Sequence, residues 1–147
     1  MRLSQNMSLI SLVYVSYETR RMMAEDIQSI LDSARRFNSL NAITGMLLYR
    51  KGYFIQALEG EQDVVKALYE KIAADPRHQG CLTVHTSIIQ ERSFSRWSMG
   101  YKDLEGIAPE KLEDYDDFLQ SPITPDTIEK GNRVKALLEI FREEIGY

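Results

Sequence analysis

The sequence predicts an α+β fold: a ferredoxin-like β-α-β-β-α-β-β sheet with two helices on one face, and a C-terminal pair of helices covering the other. Two observations carry this expectation. Apolar residues alternate with period two, or form short runs, in five segments, and recur every three or four residues in two segments set between them. Each of those two segments has a single apolar stripe, so both must lie against the sheet, whose second face then needs its own cover. A chain of 147 residues has the length of one domain and enough material for a substantial core.

The first strand spans residues 9–16, within SLISLVYVS. Alternation there groups Ile10, Leu12 and Tyr14 on one side and Leu9, Ser11, Val13 and Val15 on the other. A helix from Ala24 to Asn38 follows, with Met23, Ile27, Leu31, Ala34 and Asn38 on its inner stripe and Glu25, Gln28, Asp32 and Arg36 opposite. A hairpin comes next: ITGMLLY (43–49), a turn at Arg50-Lys51-Gly52, and YFIQALE (53–59), which groups Phe54, Gln56 and Leu58. The second helix follows Gly60, presents Val64, Val65, Leu68 and Ile72 on one face, and stops at Asp75-Pro76. A residue before proline is pushed out of the helical region, which explains that stop. Strands over 82–90 and 95–103 complete the sheet. Beyond them, Pro109 opens a short helix bearing Leu112, Tyr115 and Phe118. Thr124-Pro125 then caps a last helix with Val134, Leu137, Leu138, Phe141 and Ile145 on one stripe. The expected divisions are an N-terminal extension (1–8), a core domain (9–104) and a C-terminal helical extension (105–147).

Composition excludes several classes. The net charge is −4 with no basic cluster, which argues against a nucleic-acid partner. Apolar runs such as ITGMLLY fall far short of a membrane span. The opening MRLSQNMS lacks the apolar core of a secretion signal, so a cytoplasmic location is expected, with Met7 as an alternative start. Cys81 stands alone, which excludes an internal disulfide. With His78 and His85 the only histidines, no metal site is expected either. A nucleophile paired with a base and a glycine-rich phosphate loop are both missing, so an enzyme is not expected.

The informative residues are Tyr14 and Gln56, polar groups set into two apolar strand faces. A buried amide without partners costs roughly 1–3 kcal/mol, so Gln56 must find some. A phenol is one candidate, and a flat ligand rich in acceptors is another.

Five segments in order complete the picture: LVYVS with Tyr14, FNSLNAITGMLLY with Asn38, YFIQALEGE with Gln56, DPRH with Arg77 and His78, and FSRWSM with Trp97 and Met99. In these segments the chain resembles the BLUF domains, blue-light sensors of the short stand-alone type here, over about residues 9–103. The resemblance implies FAD, with FMN or riboflavin as alternatives, held noncovalently between the two helices. It implies that Tyr14 gives an electron and then a proton to the excited flavin, and that Gln56 rotates or tautomerises to rewire the hydrogen bonds. The Asn38 amide would then bind the ring edge, and Ile30, Ile72 and Phe54 would wall the ring. Asp75, Arg77, His78 and Lys71 would lie near ribityl, phosphate or ring-edge atoms. Trp97 or Met99 would stand beside Gln56, the sequence leaving open which, and Ser16 would join that network. Phe37 occupies a position where some relatives carry a polar residue.

The implied output is a protein contact, made to an unidentified downstream protein or in a homo-oligomer, through the last strand and the terminal helices. The alternative on the same fold is a small hydrolase or a light-insensitive ligand-binding module.

Overall fold

A computed structural model describes residues 8–50, 52–95 and 98–103. Its elements are β1 (Leu9–Glu18), α1 (Ala24–Leu40), β2 (Thr44–Arg50), β3 (Tyr53–Glu61), α2 (Gln62–Ala73), β4 (His78–Ile88) and β5 (Gly100–Asp103), in the expected order. The strands lie in the order β4-β1-β3-β2-β5. β1 is antiparallel to both β3 and β4, β2 is antiparallel to β3, and β5 runs parallel to β2.

Ile10, Leu12, Tyr14, Leu47, Phe54 and Leu58 of the sheet share one core with Ile27 and Leu31 of α1 and Val65 of α2. Both helices therefore cover the same face. The alternate residues Val13, Val15, Met46, Leu48, Ile55 and Ala57 are also buried. Sequence-derived helices proposed to cover that second face lie outside the described residues, as does the 1–7 extension.

Local chemistry explains the element ends. The Asp26 carboxylate accepts a bond from the Met23 N–H at 2.9 Å, capping α1 in place of a Ser or Thr. α1 runs on to Leu40 and is closed by a turn in which Ala42 takes φ 53°. Gly52 closes the β2–β3 hairpin at φ 82°, where any Cβ would press on the Glu18 side chain.

Three expectations need correction. Met23 is 58% exposed, because it is the cap and not part of the helix, and Met22 is buried in its place. β4 begins at His78, four residues before the expected start, since the DPRH turn feeds directly into the ladder with β1. β5 holds only Gly100–Asp103, not 95–103. The preceding loop is pinned elsewhere: the buried Glu59 carboxylate accepts bonds from Ser93 N–H at 2.7 Å, Phe94 N–H at 3.0 Å and the Thr44 hydroxyl at 2.9 Å. Arg92 adds bonds to the carbonyl oxygens of Ala42 and Glu59. Within the expected strand, the Ser98 and Met99 carbonyls accept from the Asn38 and Arg35 side chains, so those acceptors do not serve a ladder.

Gly45 permits the closest approach in the sheet. A Cβ there would stand 2.1 Å from the Ala57 carbonyl oxygen and 3.2 Å from Met99 Cε. Gly45→Ala should lower stability by about 2 kcal/mol through overpacking, and a thermal melt should show the midpoint falling by roughly 5 °C or more. An unchanged midpoint would mean that the sheet absorbs the methyl group freely.

Candidate functional site

β1 and β3 place Tyr14 directly opposite Gln56. Both side chains are buried, and the Tyr14 hydroxyl donates to Gln56 Oε1. That bond turns the amide nitrogen the other way, where Nε2 donates to Met99 Sδ at 3.3 Å. Burial pushes the Tyr14 phenol well above its ordinary pKa, with Cys81, Tyr69 and Asp75 adding to the shift. The hydroxyl therefore keeps its proton and remains a donor. The Tyr69 ring packs against it at 5.2 Å between centroids.

An open cavity of about 200 Å³ lies between α1, α2 and the sheet. Mostly apolar walls with a few convergent polar groups are the make-up of a small-molecule pocket. Tyr14, Ile30, Asn38, Phe54, Gln56, Lys71, Ile72, Asp75, Arg77 and His78 line it. Sequence reasoning overlooked Met22, Ser33, Ala34, Leu47, Leu58 and Leu68 as cavity walls. Leu58 was legible, since alternation puts it on the face of Gln56, whereas Leu47 is brought there by the β2–β3 register.

Asn38 is 1% exposed and donates through Nδ2 to the Ser98 carbonyl at 2.6 Å. Its Oδ1 is buried without a partner among the described residues. An orphaned acceptor of this kind costs roughly 1–3 kcal/mol unless a donor arrives. The imide N–H of a flavin ring is such a donor, and the apolar walls Ile30, Phe54 and Ile72 suit a flat ring. The residues thus fit the cofactor that the resemblance implies.

At the mouth, Lys71 Nζ sits 5.4 Å from the centre of the Phe37 ring. Arg77 is engaged by Asp75, with Nη2 to Oδ2 at 2.5 Å. Hydrogen bonding to Arg77 holds the Asp75 carboxyl below the usual range. His78 Nε2 meets the Ile72 carbonyl at 2.5 Å, and a carbonyl only accepts, so that nitrogen carries a proton. In the neutral ring, Nδ1 then accepts from the Ser16 hydroxyl at 2.8 Å. Ser16 lies on the face of Tyr14, as expected, yet its hydroxyl serves His78 and not Gln56. β4 bulges against β1 beside Tyr14 and again beside Ser16, which re-aims the residues facing them. Trp97 lies outside the described residues, whereas Met99 stands next to Gln56.

Fold and crevice together point to a ligand-binding class: a ferredoxin-like sheet with a cavity lined by a phenol–amide pair. Residues 9–100 match the family model of BLUF, sensors of blue light using FAD, and the chain belongs to that family. It is 44% identical over 93 residues to the photoactivated adenylate cyclase subunit beta of Euglena longa, covering 63% of this chain. The match spans 11% of that relative's length. Among solved structures, BlsA in its photo-activated state superposes with a TM-score of 0.78 at 33% identity, covering 91% of this chain and 94% of that one. BlrB in its dark state gives 0.74 at 31% identity, covering 92% and 98%. Among the described residues, no helix is long and apolar enough to cross a membrane.

The Asp75–Arg77 pair gives a pH prediction. A depressed carboxyl pKa adds stability above the unfolded value of about 3.9, lost as pH falls through the folded value. Asp75→Asn should cost at most about 1 kcal/mol at neutral pH, since the pair is partly exposed. Urea melts should show that difference shrinking below about pH 4; a constant difference would assign the effect to something other than charge.

Proposed function

We propose that the protein is a blue-light photoreceptor in which Tyr14 and Gln56 form the light-responsive pair and Met99 receives the change. The observation that carries this reading is the chain of bonds from Tyr14 to Gln56, both in the cavity wall, and on to Met99. A bound flavin would supply the blue-light absorption and a one-electron acceptor. Tyr14 is the donor: its phenol gives up an electron, and the hydroxyl proton leaves along the bond toward Gln56. Both return to Tyr14, so the cycle leaves no net oxidation. What outlasts it is a new arrangement of the Gln56 amide, whose oxygen and nitrogen ends have almost the same shape.

Asn38 holds the ring edge through its amide, and Lys71, Asp75, Arg77 and His78 face the polar tail. FAD is the expected cofactor, and FMN or riboflavin carries the same ring. The signal passes through Met99 into β5 and the chain beyond it, residues 104–147, to a downstream protein or a second copy of the chain in the cytoplasm. Each rewired bond is worth on the order of 1 kcal/mol, enough to shift a population about five-fold. A full switch needs several contacts to move together.

Gln56→Leu deletes both amide groups at similar bulk. The variant should bind flavin and lose the small red shift of the visible band under blue light; an intact shift would exclude Gln56 as the switch. Tyr14→Phe should keep the fold and the cofactor, while transient absorption should show the normal photocycle blocked. A wild-type response in that variant would assign the electron to another donor.

A further inference from the structure

We infer that Arg35 is a positioning residue for the photoresponse: it holds the Met99 backbone in register while Gln56 changes its bonds, and so sets the rate of dark recovery. This rests on the photosensor reading above. Three side chains converge on two consecutive residues. Asn38 Nδ2 donates to the Ser98 carbonyl at 2.6 Å, Arg35 Nε to the Met99 carbonyl at 3.0 Å, and Gln56 Nε2 to Met99 Sδ at 3.3 Å. Arg35 and Asn38 are three apart on α1, so they share a face and grip adjacent carbonyls.

The three grips differ in kind. Asn38 and Gln56 line the cavity, and their bonds change with what happens there. Arg35 does not line it, so its hold on Met99 is independent of the light reaction. A thioether is a weak acceptor, whereas a guanidinium–carbonyl bond is charge-assisted and stronger. When the Gln56 amide turns away, the backbone stays anchored through Arg35 and through Gly100, which opens the β5–β2 pairing opposite Met46. The sulfur then waits where the returning amide finds it. Without Arg35, the start of β5 relaxes and the return path lengthens.

The test follows the red-shifted band of the purified, flavin-loaded full chain in darkness after blue illumination. Arg35→Met keeps the apolar stem and removes the donor. It should leave flavin content, dark spectrum and red shift as in the wild type and slow recovery at least five-fold. Arg35→Lys restores a charged donor and should recover within two-fold of the wild-type rate, a rescue that loss of packing alone would not produce. If Arg35→Met fails to fold, Arg35→Leu, which likewise carries no donor, takes its place. Recovery within two-fold in the donor-free variant, faster recovery, or no rescue by lysine overturns the inference alone. A wild-type protein with no red shift overturns the photosensor reading and this inference with it.

Discussion

Everything in this domain depends on the register of β1 on β3. Leu12 faces Leu58, Tyr14 faces Gln56 and Ser16 faces Phe54 across the ladder. Because side chains alternate strictly, a slip of one residue would turn Tyr14 to the far face while exposing Ile10 and Leu12 to the wrong environment. The apolar burial that drives folding is therefore the same constraint that brings phenol and amide together. No separate device is required to aim them, and the site is as precise as the core is well packed.

That precision decides where motion can occur. The loop between β4 and β5 is clamped at Ser93 and Phe94 by the Glu59 carboxylate, and Arg92 ties it to Ala42 and Glu59. β5 is in turn paired with β2 from Gly100 onward. Between these fixed points lie Ser98 and Met99, held by side chains instead of a ladder. A change of about 1 kcal/mol at Gln56 is too small to melt a strand, yet it is comparable to one side-chain bond. On the proposed function, the response falls on the segment whose bonds are of matching size.

How much of this was legible in the sequence follows from which forces are periodic. Element order, both helix stripes and the facing pair Tyr14 and Gln56 could be read because burial repeats with the backbone. The ten residues assigned to the cofactor through family resemblance all line one cavity. Errors fell where non-periodic bonds prevail. Trp97-Ser98-Met99 alternates, but the carbonyls of Ser98 and Met99 are taken by Asn38 and Arg35, and β5 begins only at Gly100. Glu59 itself reads as an exposed position in an alternating strand, and only its three donors reveal why it is inside. Ser16 was placed on the correct face, yet its partner His78 came from a strand whose start was misjudged. Arg35 gave no signal, because a bond to a backbone carbonyl leaves no trace in side-chain pattern.

The choice of amides at the two central positions has a physical reason. Gln56 joins Tyr14 to Met99, and Asn38 joins its unpartnered Oδ1 to the Ser98 carbonyl through Nδ2. Each therefore presents an acceptor to one side and a donor to the other. A carboxylate could not do this, being acceptor-only and costly to bury unpaired. A hydroxyl combines both functions on one atom, so it cannot span two partners several bonds apart. A carboxamide is neutral, rigid and two-ended, and a change in demand at one end alters what the other end offers. Two such connectors reach the neighbouring residues Ser98 and Met99, so on the proposed function both could be moved together, which a single bond of this size could not achieve.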